Sequence, residues 1–267
     1  MLFSLVNTYL PRQSDTETLL LDGETGRADL AWSSRINARW RWGAETAVFT
    51  HGGGILDSFV DHWHETFDLP ASGRYSAPTG RLLYWYQRDG QDVVHLDSAT
   101  GGVGDIQVWI ARRWLSQPAL TTRIGLALPS GSSRHLTGKG SRDLYADISY
   151  TRQGLLQNKA SVQLSLGVVR QGHSDLFPDL RKQVFFSQGS IDYRLAARWS
   201  AQFHYLLHSA VFNSSLRVLG EHALMLYGGA AWQMSEGSEL YFGVSEDPEY
   251  GTAQDVGLHL GYRRQFR

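Results

Sequence analysis

A chain of 267 residues with 42% apolar and 19% charged residues could fold as one or two water-soluble domains, but 12% aromatic residues and 28 glycines against seven prolines favour β-structure over helix. A formal net charge of −1 gives no electrostatic footprint for nucleic acid, and the absence of cysteine excludes a disulfide framework and a thiolate metal site. No run approaches the roughly 18 apolar residues of a membrane helix, and mean hydropathy is −0.30; a transmembrane β-barrel escapes such a scan because half of each strand faces a polar lumen.

In chain order, segments of about ten residues with period-two patterning recur, the length of a tilted barrel strand. Twelve are predicted: Leu2–Leu10, Glu24–Ile36, Trp40–Thr50, Val103–Leu115, Ala119–Leu128, Arg142–Arg152, Ala160–Arg170, Phe185–Trp199, Ala201–Val211, Ala223–Met234, Glu239–Ser245 and Gln254–Phe266. Brief turns are expected at 37–39, 116–118, 153–158, at Ser200 and at 235–238, with longer Gly, Ser, Asp and Pro-rich connections between them. That alternation is the pattern of an up-and-down barrel with tight periplasmic turns and longer outer loops. The last segment is the clearest. Val256, Leu258, Leu260, Tyr262 and Phe266 share one face, and Asp255, Gly257, His259, Gly261 and Arg263 the other.

The fold expected is therefore all-β: one up-and-down antiparallel transmembrane barrel of about 12 strands over residues 1–267, with a short helix in one long extracellular loop. The polar stripes carry Arg, Asp, His, Gln and Ser rather than Lys and Glu, and the chain has only three lysines, Lys139, Lys159 and Lys182. This register predicts a lumen lined by Arg27, Asp29, Arg35, Arg123, Asp143, Asp147, Asp192, Arg194, Arg198, His204, His208, His259 and Arg263. Two roles stand open for them: a charged constriction selecting small polar or anionic solutes, or a salt-bridge network that fills a closed lumen. Trp40, Trp42, Trp114, Trp199 and Trp232 fall near short-turn ends, as an interfacial girdle would. The N-terminus carries no recognisable export signal, so the chain is expected to begin at or inside the first strand after such a signal.

The connection between His51 and Thr100 is too long to be structureless without a role. Within it, Leu56, Phe59, Val60, Trp63 and Phe67 repeat at helical spacing, a candidate plug or lid that Pro70 ends. Asp57, Asp61, His64 and Glu65 share the opposite face; an ion could sit there, although an amphipathic helix needs a polar face anyway. Segments 82–88 and 93–96 around Asp89-Gly90 read as a hairpin. His51-Gly52-Gly53-Gly54 is similar to an oxyanion-hole sequence, but no glycine-any-serine-any-glycine elbow accompanies it, and a hinge before the helix explains it better.

Leu21-Asp22-Gly23-Glu24-Thr25, His51-Gly52-Gly53-Gly54, Asp57-Ser58-Phe59, His62-Trp63-His64 and Phe67-Asp68-Leu69-Pro70 together resemble an uncharacterised family of Gram-negative outer-membrane barrels, a domain of unknown function distantly similar to hydrophobic-compound transporters. Gly102-Val103-Gly104-Asp105, Leu128-Pro129-Ser130-Gly131, residues 138–143 and Glu246-Asp247-Pro248 extend the resemblance over most of the chain from Leu19. The resemblance implies an outer-membrane location, associates the chain loosely with transport and carries no catalytic residues.

The leading expectation is a channel or uptake protein for small solutes. Its expected partners are membrane lipid, lipopolysaccharide and, through the strand Gly257 to Phe266, the barrel-assembly machinery, with no nucleic acid and no cofactor. The alternatives are a membrane-bound lipid hydrolase using His204, His208 or His259 with Ser or Asp, and a structural barrel that docks a partner.

Overall fold

The computed structural model describes residues 1–67, 77–248 and 256–265, without the side chains of Trp63, His64 and Phe67. It holds a closed antiparallel barrel of twelve strands with only short helices. In chain order the strands are β1 (Leu2–Gln13), β2 (Glu17–Arg35), β3 (Trp40–Gly52), β4 (Leu83–Arg88), β5 (Gln91–Leu96), β6 (Thr100–Val103), β7 (Ile106–Ser116), β8 (Ala119–Leu128), β9 (Asp143–Gly154), β10 (Ala160–Arg170), β11 (Gln183–Arg194), β12 (Trp199–His208), β13 (Ala223–Ser235), β14 (Ser238–Glu246) and β15 (Val256–Arg264). Each barrel strand pairs with its chain neighbours, and β1 pairs with β15 from Leu2↔Gly261 to Asn7↔Val256, which closes the sheet. Closure removes the two free edges whose unpaired amides and carbonyls hydrocarbon cannot satisfy.

β6 and β7 form one wall strand broken at Gly104-Asp105, β6 pairing the outer part of β3 and β7 its inner part. The break has a cause: the Asp105 carboxylate turns aside to accept from the amides of Gly131 and Lys139, both at 3.0 Å. The helix α1 (Asp57–Phe67) lies at the predicted place. The hairpin β4–β5 turns at Asp89 and Gly90, whose φ of 48 and 77° fit the tight turn that Asp-Gly favours.

Three sequence expectations are corrected. The second strand begins at Glu17, seven residues before the predicted Glu24, and only Ser14–Thr16 separate it from β1. Leu19, Leu20 and Leu21 in succession hide the alternation there, because the inner face of this extension meets apolar side chains instead of a lumen. The β4–β5 hairpin pairs with that extension, from Glu17↔Arg88 to Asp22↔Leu83, so part of the long connection joins the sheet. The turn predicted at Ser200 lies between Arg194 and Trp199: the amides of Leu195 and Ala196 both bond to the Trp199 carbonyl, at 2.9 and 3.1 Å, and Trp199 already pairs with Trp232. Leu195 and Ala197 continue the apolar rhythm through the turn, and that concealed it.

The apolar stripes face outward. Ile110, Ile124, Leu166, Ile191 and Leu260 are all exposed, Ile124 at 57% and Leu166 at 53%, an apolar surface far larger than water-soluble monomers carry. Near the short turns Trp32 and Trp42 meet edge to face with centroids 4.7 Å apart, and Trp199 stacks on Trp232 at 6.1 Å. No helix of the described residues is long and apolar enough to cross a membrane; the strands do the crossing. The buried apolar clusters among the described residues are small and centre on Leu10, Leu19 and Leu216 and on Leu82, Tyr84 and Leu96, both at the end with the long loops.

Candidate functional site

Strand parity assigns the interior. Ser4, Val6, Thr25, Arg27, Asp29, His204, Tyr227, Tyr241 and His259 line a central cavity of about 840 Å³. Toward the short turns a second cavity of about 820 Å³ is lined by Lys159, Asp192, Arg194, Arg198, Glu239 and Arg263 among others, and a third of about 470 Å³ by Arg35, Arg39, Arg41, Arg113, Arg123 and Asp147. Gln163 borders all three, which makes them compartments of one interior.

The predicted charges fall into three groups. Arg123 and Asp147 are direct cross-strand partners; the arginine donates from Nε at 2.7 Å, lies 3.9 Å from Glu45, and its guanidinium stands over the rings of Trp109 and Tyr145 at 5.8 and 5.5 Å. Trp109 donates to Glu45 at 2.7 Å and completes this patch. Arg27 pairs with Asp29 at 2.6 Å, Arg263 with Glu239 at 3.2 Å, and Asp192 accepts from Gln202 at 2.7 Å. Arg35, Arg194 and Arg198 border the cavities at the short-turn end, Arg198 from a turn rather than a strand wall. Charge at this end is lopsided: the lining holds four basic against two acidic side chains in the second cavity and five against one in the third.

Asp143 and His208 serve differently. Asp143 is buried, pairs with Lys139 and accepts from Ser141 at 2.9 Å and the Gly172 amide at 3.0 Å, so it fastens outer loops. The Nδ1 of His208 lies 2.9 Å from the Ser209 carbonyl at the end of β12. His259 sits between the hydroxyls of Ser4 at 2.8 Å and Ser245 at 2.9 Å, with both ring nitrogens occupied and no carboxylate bonded to either. A hydrolytic triad needs an acid there to orient the imidazole.

The helix α1 starts on the outer side of the wall. Asp57 accepts from the Asn7 side chain at 2.9 Å and the Gly80 amide at 2.7 Å, and the Leu56 amide bonds to Glu24. Asn7 and Glu24 are register partners on the face opposite Val6 and Thr25, which line the cavity. Leu56 and Val60 therefore belong to a segment pinned outside the lumen, not to a plug within it; Val60 is fully buried, whereas Phe59 is 43% exposed. Trp63, Phe67 and the candidate ligand His64 lie outside the described side chains. Asp57 and Asp61 border a small cavity of about 90 Å³ with Asp22 and Tyr9, while Glu65 stands 4.0 Å from His62. Among the described residues no group of three or more His, Asp or Glu is gathered to hold an ion.

The segment lying on the lumen side of the outer rim is 209–222. Leu216 packs on Leu10 and Leu19, with Tyr86, Val218 and Leu219 around them. Beneath it Glu17 is 2% exposed and accepts from the Ser215 amide at 2.6 Å, the Ser215 hydroxyl at 2.5 Å, the Ser214 hydroxyl at 2.9 Å and the Tyr86 hydroxyl at 2.5 Å. Burial pushes this carboxyl up, but those bonds outweigh it and hold the pKa at about 2. Arg88 ties the same region to Asp179 at 2.5 Å and to the Asn213 carbonyl at 3.3 Å. Sequence reading missed this segment, although Leu216, Val218 and Leu219 amid polar residues were a signal of burial.

A closed barrel of even strand number, apolar outside and polar inside, is the spanning structure of the bacterial outer membrane, and this is where the chain resides. No curated protein matches the chain. Among solved structures, the COG4313 outer membrane channel from Pseudomonas putida F1 matches 99% of this chain and 93% of its own length at 13% identity with a TM-score of 0.64. NanC porin matches 99% of this chain and all of its own at 9% identity with a TM-score of 0.50. The shared feature is the fold, that of outer-membrane channel barrels. The family described as "Protein of unknown function (DUF3187)" matches residues 2–266, and the chain belongs to it.

Proposed function

We propose that this barrel is a channel for small solutes with a preference for anions. The supporting observation is the short-turn end of the interior, where Arg35, Arg39, Arg41, Lys159, Arg194 and Arg198 border the cavities against few carboxylates. Fixed like charges in a low-dielectric wall raise the local concentration of counter-ions and disfavour ions of their own sign. The paired Arg123, Asp147 and Glu45 act as a rigid part of the wall, and the unpaired cations set selection. Membrane lipid and lipopolysaccharide cover the belt in this reading, and the assembly machinery reads the last strand from Gly257.

Planar-bilayer recording across a potassium chloride gradient tests it. The reversal potential should lie on the chloride side, and Arg194→Gln with Arg198→Gln should move it toward zero. Electrical silence, or a cation preference in the unmodified protein, overturns the proposal.

A further inference from the structure

On the outer face of the wall, five residues before the short turn that follows β7, stands a cation directed at lipid. Arg112 alternates with Ala111 and Arg113, which border the interior, and it shares its face with exposed Ile110 and Trp114. It is the register partner of Trp40 on β3 and of Thr122 on β8. Its guanidinium carbon lies 3.8 Å from the centroid of Trp114 and 5.5 Å from that of Trp40, and Trp114 is itself held by donating to the Thr122 hydroxyl at 3.0 Å. Both rings stand beside the cation, and the wider spacing is on the Trp40 side. Its Nε is buried without a hydrogen-bond partner, and no carboxylate lies within ion-pairing distance among the described residues.

A guanidinium on the outer face near the interface, held between two indoles with no protein anion, is completed by an anion offered from the membrane. Short turns mark the periplasmic end, so the leaflet at this depth is the inner, glycerophospholipid one. We propose that Arg112, framed by Trp40 and Trp114, binds the phosphate of one glycerophospholipid of that leaflet. The fork of N–H donors matches two phosphate oxygens, the rings sit at headgroup depth where indoles are favoured, and Ile110 and Ile124 beside them offer apolar surface to the acyl chains. This site does not depend on whether the lumen conducts.

Native mass spectrometry of the full chain, released from detergent after addition of dioleoylphosphatidylglycerol, dioleoylphosphatidylethanolamine or dioleoylglycerol, tests the assignment. The first molecule of either phospholipid should be retained about tenfold more strongly than dioleoylglycerol, and millimolar inorganic phosphate should not displace it. Arg112→Gln should reduce that retention to the level of dioleoylglycerol. Arg152→Gln, which removes another exposed arginine that has no ring contact, should leave retention unchanged. Should Arg112→Gln fail to fold, Trp114→Leu keeps the cation, removes its frame and should weaken retention. Equal retention of dioleoylglycerol, displacement by free phosphate, undiminished binding in a folded Arg112→Gln or Trp114→Leu variant, or an equal loss in Arg152→Gln would each refute it.

Discussion

Gly125 is the register partner of Tyr145, and a β-carbon placed there would run into the tyrosine ring. Gly43 faces Trp109 and Gly167 faces Phe186 in the same way on neighbouring strands. These three glycines let an inward aromatic lie across the next strand, where it packs on the wall instead of filling the lumen. Gly125→Val should push Tyr145 and the adjoining Arg123–Asp147 pair aside and destabilise the barrel by about 1–3 kcal/mol, the usual cost of overpacking; the midpoint of urea unfolding in detergent measures it. Glu17 gives a second prediction at this scale. Its carboxyl is depressed to about 2 from an ordinary 4.5, so its contribution to docking segment 209–222 is complete above pH 4.5 and disappears as pH falls from 4.5 toward 2. Proteolysis of that segment should stay slow at neutral pH and accelerate over that window. In Glu17→Gln the acid step should vanish and cleavage should be faster throughout.

Among the elements, segment 209–222, to which patterning assigns no role, lies at the inner rim where patterning puts the helix of the connection between His51 and Thr100. Helical spacing correctly located α1, but periodicity says nothing about which side of a wall a helix occupies; the hydrogen bonds of Asp57 to Asn7 and of Leu56 to Glu24 decide that. The segment that meets the inner rim carries one short helical turn, Arg217–Gly220, too brief for a periodic signal. Replacing Ser214–Leu219 by a Gly-Ser linker should therefore raise single-channel conductance, because Leu216 and its neighbours then leave the inner face of the rim. Removal of residues 55–67 should leave conductance nearly unchanged. The opposite ranking in bilayer recordings would return the lid to α1.

For the whole molecule, a net charge of −1 conceals a segregation. Arginine and lysine gather around the interior near the short turns, while Glu17, Asp22, Asp143 and Asp179 lie at the far end in ion pairs or hydrogen bonds with outer loops. Composition alone therefore carries no sign of the internal field. If that field selects anions, the selectivity should weaken as salt is raised and the Debye length shrinks from about 10 Å at 0.1 M to about 3 Å at 1 M.

The fold class and the strand number were legible in the residues alone, since period-two patterning records which side of a strand can meet hydrocarbon. The same alternation is the reason to expect Arg27, Arg123, Asp147, Asp192 and His259 on the inner stripe. Folding had to add that Asp143 fastens loops, that Arg123 pairs with Asp147, that β2 reaches back to Glu17, and that 209–222 meets the inner rim while α1 begins outside it. Those outcomes depend on pairings between residues far apart in the chain, and alternation along one strand carries no information about what stands across from it.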